Sequence, residues 1–224
     1  VLGLLYDIHG NLPALEEVLS EADAAGVDRW LLGGDYGTPS PWPLETLSRL
    51  RQLEHATWIR GNGERWLREP PKDRPEVMEV YELFTGGLPE DVIEWLYGLP
   101  PQAELDGVLY VHGSPVSDVE SFAPEPQDGE EKMLGDVGDR TIVFGHSHQQ
   151  FRRPGPQGTD LLNPGSVGMP LDGNRRAAWA IRDDDGEFAF RRTEYDVERA
   201  AAAYRQMRGD FGEFAANRIE RGSD

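Results

Sequence analysis

The sequence predicts an α/β domain in which two packed sheets are covered by helices. Two observations carry this expectation. Residues 1–150 alternate short apolar runs with helix-period patterns, as βαβ units do. After that the helical patterns give way to short strand-like segments joined by tight turns. The chain has 224 residues and shows no repeat, low-complexity tract or internal boundary, so residues 1–224 are expected to form one domain. That length buries a sizeable core without covalent staples.

The elements follow in order. "VLGLLYD" reads as a buried strand ending at Asp7. A helix follows over "NLPALEEVLSEADAAG", with Asn11 as N-cap, Pro13 in the first turn and Gly26 as the stop. Its apolar face is Leu15, Val18, Leu19 and Ala22. "RWLLGGD" is a strand ending at Asp35, and "PLETLSRLRQL" a helix with Leu44, Leu47 and Leu50 inward. "ATWIRGN" is a third strand, ending at Asn62. Three prolines and several charges make "REPPKDRPEV" a loop or mobile lid. Residues 76–97 are helical with a break near Gly86, Gly87 and Pro89. "GVLYVHG" runs to His112 and "TIVFGHSH" into His146. "QQFRRPG", "DLLNPGS", "AAWAIRD" and "EFAFRRTEY" are the later strands. "RDDDGE" at 182–187 is a DG hairpin turn, since it lacks the twelve-residue ligand pattern of a calcium loop. A helix from Val197 to Met207 closes the chain.

Composition narrows the function. A net charge of −19 argues against coating nucleic acid, whose phosphates require a basic surface. It leaves room for a small phosphorylated substrate, because bound dications would supply local positive charge. There is no cysteine, so any transition metal must be held by His, Asp, Glu or Asn. No apolar run reaches the length of a membrane span, and cytoplasm is the expected location. The first residue is Val1 rather than methionine, which leaves an upstream segment open.

The strand ends carry the chemistry. Asp7 and His9, Asp35, Asn62, His112, and His146 with His148 all fall there, and of the five histidines only His55 does not. Alone, an Asp after a strand is usually a turn former and a His usually a bonded core or surface residue. Their joint register is the signal, because strand ends of an α/β sheet converge on one crevice. Mixed carboxylate and imidazole donors suit Mn, Fe or Zn rather than Ca. Seven donors exceed one tetrahedral ion and suit two that share a carboxylate.

These motifs, "DIHGN", "GGDYG", "RGNGE", "VHGS" and "GHSH", together with "LLNPGSVGMP" and "TEYDVE", resemble the calcineurin-like metallophosphoesterase superfamily. The likeness is to its bacterial branch of small phosphodiesterases and diadenosine-tetraphosphatase-like phosphatases. The resemblance implies a four-layer α/β/β/α sandwich of two mixed sheets flanked by helices. It implies two divalent metal ions, manganese, iron or zinc. Asp7, His9, Asp35 and His148 would hold one, and Asp35, Asn62, His112 and His146 the other, with Asp35 bridging. A metal-bridging hydroxide would then hydrolyse a phosphodiester, phosphoanhydride or activated phosphomonoester, on a small substrate such as a nucleotide. The superfamily also includes non-catalytic members that serve as protein-binding scaffolds, which is the alternative expectation.

One position departs from the family pattern. Much of the superfamily places histidine after the metal-binding Asn, where it acts on the leaving oxygen. Here Gly63 stands in that place, while Glu64 keeps the following carboxylate. No leaving-group acid is therefore assigned. Asn11, Glu64 and Arg60 are candidates for positioning or substrate contact, and Asn163 and Ser166 for a loop near the site or a plain turn. Tyr36, Trp42 and Trp66 are expected to pack in the core or at the surface rather than stack on a base. Arg60 and Arg65 face an even choice between phosphate contact and surface ion pairs.

Overall fold

Leu2–Leu5 forms a four-residue strand (β1) buried at every position, which explains its uninterrupted apolar sequence. The computed structural model of residues 1–224 places it at the centre of a five-stranded sheet. Its neighbours are β2 (Arg29–Leu32) and then β3 (Ala56–Trp58) on one side, both parallel. On the other side β9 (Ala177–Arg182) pairs antiparallel with β1, and β10 (Phe188–Thr193) pairs antiparallel with β9. The second sheet has the order β4 (Gln102–Leu105), β5 (Val108–Val111), β6 (Thr141–Val143), β8 (Asp160–Pro164), β7 (Gln150–Pro154). Its three central strands are parallel and both edges antiparallel.

The two sheets face each other across one apolar layer, built from Leu2, Leu4, Tyr6 and Leu31 on one side and Val108, Tyr110, Val143 and Leu162 on the other. Helices α1 (Leu12–Ala24), α2 (Pro43–Leu50), α3 (Asn62–Trp66), α4 (Pro75–Thr85) and α5 (Glu90–Tyr97) cover the outer face of the first sheet. Phe122 and Leu134 close the outer face of the second. Two last helices, α6 (Val197–Arg205) and α7 (Phe211–Arg221), pack on each other and on Met169. The mixed two-sheet architecture flanked by helices is the one expected. No helix is long and apolar enough to cross a membrane.

Several boundaries differ from the sequence expectation. The third strand ends at Trp58, and Asn62 opens α3 rather than ending a strand. Leu44 is 40% exposed, because α2 is two turns long and buries Thr46, Leu47 and Leu50. The proline-rich segment enters α4 already at Pro75, which sits in a first turn where its missing N–H leaves nothing unsatisfied. Strand β4 was not expected: it is a half-exposed edge whose alternation, QAEL, runs for only four residues and carries one large apolar side chain, Leu105. Helix α7 was also not expected. Its buried face is Gly212, Ala215, Ala216 and Ile219, a stripe too small-sided to read as a helix face. Asn11 caps α1 as expected, its side-chain oxygen accepting from the Ala14 amide.

Candidate metal centre

Parallel strands of both sheets end at one edge, and there the chain turns sharply. Eight non-glycine residues have positive φ, and five of them are Asp7, His9, Asp35, His146 and His148. A left-handed backbone at a residue with a side chain costs about 1 kcal/mol or more and persists where surroundings enforce it. Four hydrogen bonds enforce it here. The Asp7 and His9 amides donate to the Gly34 and Asp35 carbonyls at 3.2 and 2.8 Å. The Ser166 hydroxyl donates to the Asp7 carbonyl at 2.7 Å, and the Gly168 amide to the same carbonyl at 3.1 Å.

The donor atoms converge. Asp7 Oδ1 lies 3.4 Å from His148 Nε2 and 3.9 Å from both His9 Nε2 and His112 Nε2. Asp35 Oδ2 stands 3.7 Å from His9 Nε2 and 3.6 Å from His112 Nε2. The Nε2 atoms of His9 and His148 are 3.1 Å apart. Asn62 Oδ1 is 3.0 Å from His112 Nε2 and 2.8 Å from His146 Nδ1. Donors about 2.1 Å from an ion, at right or tetrahedral angles, lie roughly 3.0–3.5 Å from each other. Two triads emerge, Asp7–His9–His148 and Asp7–Asp35–His112, and Asp7 is the member common to both.

Two observations test whether these residues fit a cation. Asp7 Oδ1 is fully buried with no hydrogen-bond partner. An ionised buried oxygen left bare is costly, and a metal ion would satisfy it. The Asn62 carbonyl oxygen faces two imidazole nitrogens and, at 3.2 Å, the Asp118 carbonyl. Turning the amide over would make hydrogen bonds of these contacts, but it would leave Asp7 Oδ1 bare. A cation among the donors accounts for both, so the residues fit.

Backbone carbonyls set the tautomers. His112 Nδ1 lies 2.8 Å from the Gly33 carbonyl and His148 Nδ1 2.7 Å from that of Met169, which places their protons on Nδ1 and turns Nε2 to the cluster. Burial opposes charge on His112, but the carboxylates of Asp35 and then Asp7 push it up to about 10. Burial brings His9 and His146 down to about 4, with the neighbouring His148 and His112 adding to the effect. At pH 7 the metal-free protein therefore holds a proton on His112 that an ion must displace. Loading apoprotein with Mn²⁺ is expected to release about one proton. Titration calorimetry in buffers of differing ionisation enthalpy measures it, and affinity should climb as pH rises toward 10.

Glu64 does something other than orient a neighbouring imidazole. Its carboxylate is buried and accepts three amides, from Asp35, Tyr36 and Gly61, each at 2.9 Å. It brackets the loop after β2 against the turn before α3. Gly61 is required there, since a Cβ would lie 2.4 Å from Asp35 Oδ1. The Gly63 amide donates to that same oxygen at 2.7 Å.

The other candidates sort as follows. Asn11 donates to the Gly168 carbonyl at 2.8 Å besides capping α1. Asn163 donates to the Gly145 carbonyl and to Ser147, steadying the turn that carries His146 and His148. Arg60 is held by the Tyr97 carbonyl at 2.7 Å and Arg65 by both oxygens of Asp118. Tyr36 and Trp66 are buried in the core and Trp42 is half-buried. Sequence reasoning missed Tyr204, whose hydroxyl donates to the His9 carbonyl.

Two facing mixed sheets with a carboxylate–imidazole cluster at their common strand ends place the protein in the class of α/β sandwiches with a candidate metal centre. A model of the calcineurin-like phosphoesterase superfamily domain matches residues 1–185, and the chain belongs to that superfamily. An uncharacterised protein of Methanocaldococcus jannaschii is 27% identical over 223 residues, covering 89% of this chain and 90% of its own. The structure of a metallophosphoesterase from Sphaerobacter thermophilus superposes with a TM-score of 0.77 at 25% identity, covering 99% of each chain. A hypothetical protein of Pyrococcus horikoshii shares the fold, with a TM-score of 0.81 at 19% identity over the whole of both chains.

Proposed function

We propose that this chain is a phosphoesterase with a dinuclear metal site, acting on small phosphorylated substrates such as nucleotides. The carrying observation is the bare Asp7 oxygen amid six further donors from both sheets. Asp7, His9, Asp35 and His148 would hold one ion, and Asp35, Asn62, His112 and His146 the other. Bound divalent ions would neutralise phosphoryl oxygens and acidify a water molecule. The chain's own residues fix the donor geometry: Glu64 brackets the Asp35 loop, and the Gly33 and Met169 carbonyls orient two imidazoles.

Gly63 places no imidazole beside the cluster. General acid help is worth about 10²–10⁴-fold and matters most for basic leaving groups. The expected preference is therefore for phosphoanhydrides, aryl esters and activated diesters over phosphoserine-type esters. Steady-state kinetics with added Mn²⁺ on bis(p-nitrophenyl) phosphate, a dinucleoside polyphosphate and a phosphoserine peptide test both claims. Equal or faster turnover of the peptide would refute the preference. Two bound ions with no ester hydrolysed would replace the enzyme reading by the scaffold.

A further inference from the structure

Tyr81 stands where the mechanism has a gap. It projects from α4, is 5% exposed, and meets Trp66 edge to face at 5.4 Å. A Cβ built on Gly63 would lie 3.1 Å from the Tyr81 hydroxyl and 2.8 Å from Asp35 Oδ1. The phenol oxygen and the carboxylate thus face each other across the space that a side chain at 63 would claim. The hydroxyl is poorly engaged, its one hydrogen bond reaching the Thr38 carbonyl at 3.5 Å, far longer than an ordinary O–H···O bond. A buried hydroxyl normally finds a full partner. This one is aimed beside the donor cluster with its proton nearly uncommitted.

We propose that the Tyr81 hydroxyl donates a hydrogen bond to the leaving-group oxygen of the substrate, from the volume that Gly63 leaves open. The proposal rests on the phosphoesterase reading. Water adds its oxygen to phosphorus, the bond from phosphorus to the leaving oxygen breaks, and one water proton ends on the departing alcohol. The phenol keeps its own proton throughout and steadies the charge that develops on that oxygen. Burial, with the negative charges of Asp35 and Glu64 adding to it, raises the phenol well above its ordinary value and keeps it a donor.

The test compares wild type with Tyr81→Phe on phosphate esters whose leaving groups run from p-nitrophenol through phenol to a primary alcohol. Phenylalanine keeps the ring against Trp66, so metal content and Tm should stay at wild-type values. The expected result is a loss of about 10²-fold in kcat for the alcohol ester, the worth of one well-placed donor. The p-nitrophenyl ester should change by about threefold or less, because an acidic leaving group needs little help. A second variant, Tyr81→Ala, should lose the same alcohol-ester turnover. Gly63→His alone should give no gain, since Tyr81 and Asp35 crowd its Cβ. Equal leaving-group dependence in active wild type and Tyr81→Phe would overturn this inference alone. Absence of hydrolysis by wild type on every ester would overturn the phosphoesterase reading and this inference with it.

Discussion

Asp35→Asn is expected to lower turnover by about 10³-fold while leaving the protein folded. Charge stabilisation by bound ions is worth several kcal/mol in a phosphoryl-transfer transition state, and each 1.36 kcal/mol is a factor of ten. Asp35 Oδ2 faces His9 and His112, one imidazole from each proposed ion's set. Its other oxygen already accepts from the Gly63 amide, so an asparagine oxygen can keep that bond. What asparagine cannot supply is negative charge between two dications. Kinetics on bis(p-nitrophenyl) phosphate, beside metal analysis of the purified variant, measures the effect. Undiminished activity would remove Asp35 from the bridging role and leave Asp7, the member of both triads, as the shared ligand.

Glu64→Ala should damage both stability and the site. The side chain satisfies three buried amides that have no water to turn to. A buried donor left unsatisfied costs about 1–3 kcal/mol, so a loss of roughly 3 kcal/mol or more is expected. Denaturant unfolding of the metal-free protein reads this directly. Because two of those amides belong to Asp35 and Tyr36, metal affinity should fall as well, by about 10–100-fold, as for other residues that orient ligands. Glu64→Gln keeps one carbonyl oxygen and should lie between wild type and alanine. If Glu64→Ala were as stable as wild type, the three amides would have another route to satisfaction and the bracket described above would be wrong.

The strands and the donors were legible because they share one signal. A short apolar run marks a strand between two cores, and a polar residue at its end marks the rim. That logic located Asp7, Asp35, His112 and His146 directly. Asn62 was read as the end of the third strand, although that strand stops four residues earlier, at Trp58. Of the supporting residues, Ser166 was a candidate for a loop near the site, but the contacts themselves were not legible. Ser166, Gly168 and Tyr204 act on the carbonyls of Asp7 and His9 from more than 150 positions away. Backbone carbonyls carry no sequence identity, so nothing in the chain announces those pairs. Glu64 could be singled out but not understood: its three partners are amides that only a folded loop brings together. Edge strand β4 and helix α7 escaped for a packing reason. The alternation of β4 lasts four residues and turns only Ala103 and Leu105 inward, and the buried stripe of α7 is mostly glycine and alanine.

The donor cluster draws on both sheets: Asp7, His9, Asp35 and Asn62 follow strands of the first, and His112, His146 and His148 follow strands of the second. An ion held between Asp7 and His148 would tie together segments at opposite ends of a very long loop. Closing such loops is what a disulfide does in a secreted protein, and this chain has no cysteine with which to do it. The same ions that would polarise a phosphate would then act as a reversible cross-link between the two halves of the sandwich. Cellular metal supply would set the rigidity of the whole fold along with the rate of its reaction.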